Sequence, residues 1–285
     1  MFLSVFGKDA QLLVPFVLYN LLFFPVLLVC LPFYMVKQFR RGGLSRAYLE
    51  RFGLLSKRQK ERLAALDTPV WIHAVSVGEV HAALTLIERW RQSVPGRCFV
   101  LSTTTTTGHA IAEKRLPESV PLLYCPMDDW GAVWRVFRRV RPSKLVLLEV
   151  EIWPNLIWEA ARRGVPVILA NGRLSERSAA RYTRHRWFFG SVFKHVKLFC
   201  MQTDTDAARI RSACGQGGAP VVVSGTMKFD QVADREDIDR AALLDTAFGA
   251  GERLVLTAGS THPGEEEVMV DAFLQARAKQ SGLKM

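Results

Sequence analysis

Residues Val70 to His81 read V-W-I-H-A-V-S-V-G-E-V-H, an apolar run that gives way to Ser76, Gly78 and Glu79. Apolar residues then recur at helical spacing, so the stretch predicts a buried strand, a turn and a helix. Open α/β sheets bind ligands beside the carboxyl ends of their strands, which is where Glu79 would lie. Two roles follow for Glu79: a general base for a hydroxyl acceptor, or the partner of Ser76 in a capping box.

Beyond this unit, short apolar runs continue to alternate with helical stretches, which predicts a doubly wound, Rossmann-like parallel α/β sheet. The predicted strands are Val70–Ala74, Cys98–Ser102, Leu122–Cys125, Leu145–Leu148, Val165–Ala170, Leu198–Gln202 and Val221–Ser224. The predicted helices lie near Val80–Arg91, Gly108–Lys114, Trp130–Arg139, Pro154–Arg163, Ser175–Lys194 and Asp204–Ala213. We interpret Asp230–Gly251 as the crossing into a second domain, which begins with a strand at Leu254–Ala258 and a helix from about Pro263.

A pair of carboxylates, Glu149 and Glu151, follows the predicted strand Leu145–Leu148. In an extended chain, residues two apart point to the same face, so the two charges would repel and raise one pKa. Sugar hydroxyls or a buried arginine would relieve that repulsion. Equally, one of the two could simply cap the helix that begins at Pro154. Trp153 suits stacking on a sugar or packing between helix and sheet.

The N-terminal segment Leu12–Val36 contains no charged residue and is longer than the ~20 residues that cross a hydrocarbon core. Its prolines leave open a kinked helix that dips into a single leaflet, and a buried core helix is the other alternative. Lysines and arginines crowd residues 37–62, so the positive-inside rule predicts a single N-terminal anchor in the inner membrane and a cytoplasmic globular part.

The net charge of +11 would suit either a nucleic acid or an anionic membrane surface. No nucleic-acid module is recognisable, so we expect the membrane surface and no nucleic acid as partner. The segment Arg181–Phe189 mixes basic and aromatic residues, which suits a membrane interface or a phosphorylated lipid headgroup. Packing of its aromatic residues into the core explains them equally well. The five cysteines form no C-x-x-C pair, which indicates that they are reduced thiols.

Common cofactor and metal signatures are absent from the sequence. It contains neither G-x-G-x-x-G nor G-x-x-x-x-G-K-[ST], and its histidines lack metal-binding spacing. There is no G-x-S-x-G elbow, which argues against an α/β-hydrolase. We therefore expect no cofactor and no metal.

Five motifs occur in one order and at one set of spacings: Ser76–Glu79, Glu149–Asn155, Asn171–Ser178, Gly225–Asp230 and Ser260–Glu266. Together they closely resemble the Kdo (3-deoxy-manno-octulosonic acid) transferases of Gram-negative lipopolysaccharide synthesis. The resemblance implies a GT-B glycosyltransferase architecture of two Rossmann domains. It also implies inverting, metal-independent transfer of Kdo from CMP-Kdo to a lipid A precursor at the inner membrane.

The same resemblance implies roles for individual residues. Glu79 would be the catalytic base. The residues implied to bind the acceptor or sugar are Ser76, Gly78, Glu149, Glu151, Asn155, Arg173 and Arg177, and those implied to bind the donor are Lys228, Ser260, Thr261 and His262. Two residues depart from the family pattern, because Val150 replaces a usual threonine and Pro263 a usual glutamate.

These inferences divide the chain into an anchor (1–38), an acceptor-binding domain (39–230) and a linker with the start of a donor-binding domain (231–285). The family's C-terminal arginine–histidine and Gly-Gly-His-Asn motifs are missing, so we expect no turnover from this chain alone. Two other classes stay open. A sugar-nucleotide epimerase shares the two-domain sheet topology, and a non-catalytic membrane-anchored binding protein would need the anchor but not Glu79.

Overall fold

The computed structural model describes residues 10–39, 47–215, 218–228 and 254–285. The chain divides into two compact units, Met1–Val232 and Ala233–Met285. The crossing segment Asp230–Gly251 predicted from the sequence lies outside the described residues.

In the first unit, seven parallel strands form one sheet in the order β3-β2-β1-β4-β5-β6-β7. The strands are β1 Val70–Ala74, β2 Phe99–Thr103, β3 Leu122–Tyr124, β4 Lys144–Leu148, β5 Val167–Gly172, β6 Val196–Met201 and β7 Val221–Val223. The predicted doubly wound parallel α/β sheet is therefore confirmed. Because β1 pairs with both β2 and β4, the strand order reverses there, and the carboxyl ends of β1 and β4 flank the crevice where such sheets bind ligands.

Helices cover both faces of this sheet, which explains why its central strands are almost continuously apolar. The helices of the first unit are α1 Ala10–Phe39, α2 Ala47–Arg51, α3 Lys57–Ala64, α4 Val77–Ser93, α5 Thr106–Arg115, α6 Trp130–Val140, α7 Pro154–Arg162, α8 Glu176–Arg184, α9 Arg186–Phe193 and α10 Asp204–Cys214. Trp71 packs with α6 and α7 on one face, whereas Ile72 packs with α4 and α5 on the other. Alternate residues of β1 thus belong to two separate cores.

Helix α1 packs against the sheet domain through its first half. The rings of Phe16 and Tyr19 meet Trp158 edge to face, with centroids 5.4 and 6.0 Å apart. The Tyr19 hydroxyl donates to Asp128 Oδ2 at 2.9 Å, and the amides of Asn20 and Asn155 exchange two hydrogen bonds. Apolar side chains also face outward from α1: Val14, Val17, Leu18, Leu21, Leu22, Phe24, Val26, Leu28 and Val29.

A membrane-crossing helix, as predicted for residues 1–38, is not supported by the structure. Within the described ranges, no helix combines the length and the apolarity that crossing a bilayer requires.

The helices differ from the prediction in two further respects. The single helix predicted at Ser175–Lys194 is two helices, because His185 leaves helical geometry (φ −106°, ψ 38°). The break lets the Tyr182 ring of α8 pack on Phe189 of α9, with centroids 4.4 Å apart. The short helices α2 and α3 were not predicted.

In the second unit, the strand predicted at Leu254–Ala258 is wrong. Only Val255 forms a bridge, to Lys284, because the described part of this unit offers no neighbouring strand. Helix α11 follows at Glu265–Lys279 and begins two residues after Pro263.

Candidate active site

Glu79 occupies the third position of α4, directly beyond the carboxyl end of β1, and is 3% exposed. Its Oε1 accepts a hydrogen bond from the Ser76 amide at 3.1 Å, and its Oε2 accepts one from the Val75 amide at 2.8 Å. Ser76 Oγ in turn accepts from the Glu79 amide at 3.3 Å. The capping box is therefore confirmed. Each carboxylate oxygen keeps a lone pair, so the cap also leaves Glu79 able to accept a proton.

Ser76 and Gly78 are both exposed and keep the first turn of α4 open to solvent. A Cβ placed on Gly78 would meet only Ser76 Oγ, at 3.9 Å. The space beside Gly78 is therefore open.

Glu149 and Glu151 follow β4, but not in the extended conformation that the sequence suggested. Glu149 has a left-handed backbone (φ 54°), and its amide donates to the Ala170 carbonyl at 2.9 Å. The chain therefore turns at Glu149 while remaining tied to β5.

The charge of Glu79 nevertheless affects both of these carboxylates. Burial, and then the charge of Glu79, raise the pKa of Glu149, while Lys228 and Arg173 lower it. Burial, followed by the charges of Glu79 and Glu149, raises the pKa of Glu151 to about 7. The structure thus brings together Glu79, Glu149, Glu151, Arg173 and Lys228 at the strand ends.

A cavity of about 340 Å³ opens beside this group. It is lined by Glu149, Glu151, Arg173, Tyr182, Asp206 and Arg209 among others. Arg209 donates to the Leu174 carbonyl at 3.0 Å, and Asp206 Oδ1 accepts from the Leu174 amide at 2.8 Å. These two side chains of α10 therefore hold the loop that carries Arg173.

Sequence reasoning missed Asp206 and Arg209 as lining residues. The available signal was the spacing Thr203-x-x-Asp206, since Thr203 is the N-cap of α10 and its hydroxyl donates to Asp206 at 2.6 Å. That spacing marks the start of α10, but only the sheet order brings α10 beside the loop after β5.

Three predicted site residues occupy distinct surroundings. Asn155 is buried, and its amide bonds to Asn20 and to the Asp128 carbonyl. Arg177 is exposed on α8 and does not line the cavity. Lys228 is exposed at the end of a loop that buried Asn171 holds, because Asn171 Oδ1 accepts from the Met227 amide at 3.1 Å.

The predicted donor residues Ser260, Thr261 and His262 belong to the second unit and form the turn before α11. Ser260 has a left-handed backbone (φ 59°), and Thr261 Oγ1 donates to Glu266 at 2.7 Å. The His262 amide donates to Glu265 at 2.9 Å. Two glutamates in the first turn of α11 therefore hold this turn in place, whereas the N-cap of the helix is Gly264.

In the ranges that the structure covers, no group of three histidine, cysteine, aspartate or glutamate side chains is arranged to hold a metal ion.

Comparison with known proteins places these features in context. The family model of the 3-deoxy-D-manno-octulosonic-acid transferases (kdotransferases) matches residues 46–231. The 3-deoxy-D-manno-octulosonic acid transferase of Haemophilus influenzae is 30% identical over 214 residues, which are 75% of this chain and 50% of that protein. Its counterpart in Bordetella pertussis is 32% identical over 244 residues, or 82% of this chain and 54% of that protein. The chain thus spans about half the length of these curated relatives.

Among solved structures, the "S. aureus MnaA-UDP co-structure" matches with a TM-score of 0.49 and 12% identity. The match covers 76% of this chain and 61% of that one. A likeness of this size says nothing about activity.

Proposed function

The chain belongs to the 3-deoxy-D-manno-octulosonic-acid transferase family, and on this basis we propose that it carries the acceptor side of a glycosyltransferase. The reaction proposed is inverting transfer of Kdo from CMP-Kdo to a hydroxyl group of a lipid A precursor, without a metal. One observation carries the proposal: carboxylates from two separate segments, Glu79 after β1 and the pair Glu149 and Glu151 after β4, flank the crevice between these strands, and the charge of Glu79 raises the pKa of both members of the pair.

In this mechanism Glu79 is the base. Two backbone amides fix the orientation of its carboxylate before substrate binds, which is the preorganisation that general-base catalysis requires. As the acceptor oxygen bonds to the anomeric carbon of Kdo, the bond from that carbon to the CMP phosphate breaks. CMP leaves with the electron pair, and Glu79 takes the acceptor's proton.

Glu151 then orients the acceptor. With a pKa of about 7, it is partly protonated at neutral pH and can donate a hydrogen bond as well as accept one. A sugar hydroxyl needs both functions from its surroundings. Protonation of Glu151 also reduces the repulsion that a second charge would impose on Glu79.

The positive charge of Lys228 suits the negatively charged donor. Lys228 is exposed and acts electrostatically on Glu149, so it would meet negative charge on a phosphate or on the Kdo carboxylate. We assign the Ser260-Thr261-His262 turn to the donor as well, as the family resemblance implies. That the 285-residue chain has no turnover by itself is part of the same proposal.

We further propose that the protein works at the cytoplasmic face of the inner membrane. The outward apolar side chains of α1 support this, since Leu21, Leu28 and Val29 are each more than 60% exposed. Apolar patches of this kind mark membrane or protein contact sites.

A non-catalytic binding protein is the second candidate function, because the complete capping box accounts for the position of Glu79 without any chemistry. Complementation of a strain that lacks Kdo transfer separates the two. A chain extended to family length should restore growth, and the same chain with Glu79→Gln should not. Rescue by neither chain would favour the binding protein, and equal rescue by both would show that Glu79 is not the base.

A further inference from the structure

Helix α8 presents a row of arginines to solvent. Arg177, Arg181 and Arg184 follow one another at helical spacing, so with 3.6 residues per turn they lie within about 60° of one another around the helix. All three are exposed, whereas the buried residues of α8, Ala179 and Tyr182, lie on the opposite side. The helix therefore has one basic face, which it turns away from the core.

No negative charge balances this basic face. The sequence contains no aspartate or glutamate between Glu176 and Asp204. Among the described residues, none of the three arginines forms an ion pair with a carboxylate. The guanidinium of Arg181 lies over the Tyr182 ring, 5.5 Å from its centroid, which orients the side chain without neutralising its charge. The basic face is therefore available to an anionic partner.

An exposed aromatic residue follows the basic face. The sequence left open whether the aromatic residues of Arg181–Phe189 pack into the core or meet a membrane, and the structure divides them. Phe188 and Phe189 are half-buried against the core of the first unit. Trp187, three residues beyond Arg184, is 54% exposed. Tryptophan favours the interface between membrane and water, where its ring meets lipid and its N–H meets water.

Ring contacts connect Trp187 to helix α1. The rings of Trp187 and Phe188 meet edge to face, with centroids 5.8 Å apart. On its other side, Phe188 lies 5.8 Å from the ring of Tyr19 in α1. This is the helix whose outward apolar side chains support the membrane location proposed above. The corner between α8 and α9 is therefore a neighbour of α1.

A basic face, an exposed tryptophan and nearby apolar side chains are the features of segments that bind at a membrane interface. A nucleic acid would match the arginines but would leave the outward apolar side chains of α1 without a role. We propose that the corner between α8 and α9 binds the phosphate headgroups of anionic phospholipids through Arg181, Arg184 and Trp187. This inference rests on the proposed membrane location and adds a second contact to it.

The same helix connects the corner to the candidate active site. Ser178 and Tyr182 of α8 line the cavity beside Glu149 and Glu151. Since α8 has nine residues and a helix rises 1.5 Å per residue, the corner lies within about 15 Å of that lining along the helix. Binding of headgroups at the corner therefore holds the cavity close to the membrane surface, where a lipid acceptor is found.

Vesicle binding by the 285-residue chain tests the proposal. Lipid titrations give the partition coefficient for vesicles of phosphatidylcholine alone and of phosphatidylcholine mixed with phosphatidylglycerol. Arg181→Gln with Arg184→Gln should weaken binding to the anionic vesicles by about 10- to 30-fold, because each arginine near an anionic surface contributes about fivefold. Binding to the neutral vesicles should not change. The matched control is Arg138→Gln with Arg139→Gln, which removes two exposed arginines from α6 and should have little effect.

The two lipid compositions separate this proposal from the membrane location on which it rests. Equal binding of wild type and the α8 variant to anionic vesicles, or an equal loss in the α6 control, would overturn the role of the corner and leave that of α1. Failure to bind either kind of vesicle would overturn both. Repeating the titrations with Leu21→Glu and Leu28→Glu, which weaken the contact of α1, keeps the arginine effect measurable if α1 alone binds tightly.

Trp187 supplies a second measurement. Bromine atoms on the lipid acyl chains quench the fluorescence of tryptophans that contact them, and the difference between wild type and Trp187→Phe isolates the contribution of Trp187. We expect brominated anionic vesicles to quench wild type more than the variant, and equal quenching would contradict the proposal. Binding to a short DNA duplex without binding to anionic vesicles would overturn it in favour of a nucleic acid. None of these measurements depends on turnover, so their failure leaves the proposed glycosyltransferase reaction untouched.

Discussion

The Glu151 carboxylate lies within the electrostatic field of Glu79, although 72 positions separate the two residues in sequence. Burial is the first cause that raises the pKa of Glu151 to about 7, and the Glu79 charge is the second. The proton on Glu151 at neutral pH is therefore partly a consequence of the charge on Glu79. This coupling can be measured without any substrate.

We predict that Glu79→Gln lowers the pKa of Glu151, because it removes a negative charge while glutamine retains the capping geometry. A ¹³C NMR titration of the glutamate side chains measures the change. Ser76→Ala is the control, since it weakens the same cap but leaves the charge in place. An identical Glu151 titration in wild type and Glu79→Gln would show that the two carboxylates do not interact.

For catalysis, the same two substitutions should have opposite effects in a chain extended to family length. Glu79→Gln should lower activity by about 10²–10⁴-fold, the usual contribution of general acid–base catalysis. It should shift Tm by no more than a degree or two, or a few tenths of a kcal/mol. Ser76→Ala should cost about 1 kcal/mol of stability with most activity retained. Steady-state kinetics and thermal unfolding of both variants measure these effects. A Glu79→Gln variant that is destabilised but still active would show that Glu79 caps the helix and is not the base.

The packing of α1 should make stability depend on Asp128. This side chain is buried and accepts hydrogen bonds from Tyr19, Asn155 and Leu156. Burial raises its pKa from 3.8 to about 7, so the folded state binds more protons than the unfolded state between those values. Its contribution to stability is therefore full below pH 4 and is lost as the pH rises through 7.

We predict that Asp128→Asn weakens this decline, since asparagine does not titrate. At pH 5 the variant should be less stable than wild type by about 1 kcal/mol, because one acceptor oxygen is lost. Between pH 5 and pH 8 the stability of the variant relative to wild type should rise by on the order of 1–3 kcal/mol, so the deficit shrinks or reverses. Urea unfolding of both proteins at pH 5 and at pH 8 measures this difference in stability. A deficit that stays constant with pH would show that Asp128 is ionised throughout.

Membrane association should depend on the outward side chains of α1. We expect the protein to remain with membranes in high salt, because salt screens charge but does not weaken apolar contacts. Leu21→Glu together with Leu28→Glu should release it. Leu54→Glu replaces a leucine that is also exposed but lies outside α1, and it serves as the control. Sedimentation measures the bound fraction, and full release of the wild-type protein by salt would rule out this role for α1.

Local patterns were sufficient to predict β1 at Val70–Ala74, the helix after it and the capping box of Glu79. Central strands of a parallel sheet are buried on both faces, so they appear in the sequence as short continuous apolar runs. Serine and glutamate three positions apart mark a helix start through contacts within one turn. Signals of this kind involve near neighbours, which is why they can be predicted without coordinates.

The composition of the site, in contrast, depended on which strands are adjacent. Pairing of β1 with β4 brings His73 against Trp153, and the neighbouring position of β5 and β6 brings Arg209 to the loop after Arg173. The left-handed turn at Glu149 and the burial of Asn155 against Asn20 and Asp128 also involve partners far away in sequence. Residue spacing carries the local propensities of the chain, but only tertiary packing sets burial and long-range partners. Those partners determine which side chains keep an unsatisfied hydrogen-bonding group or a perturbed pKa.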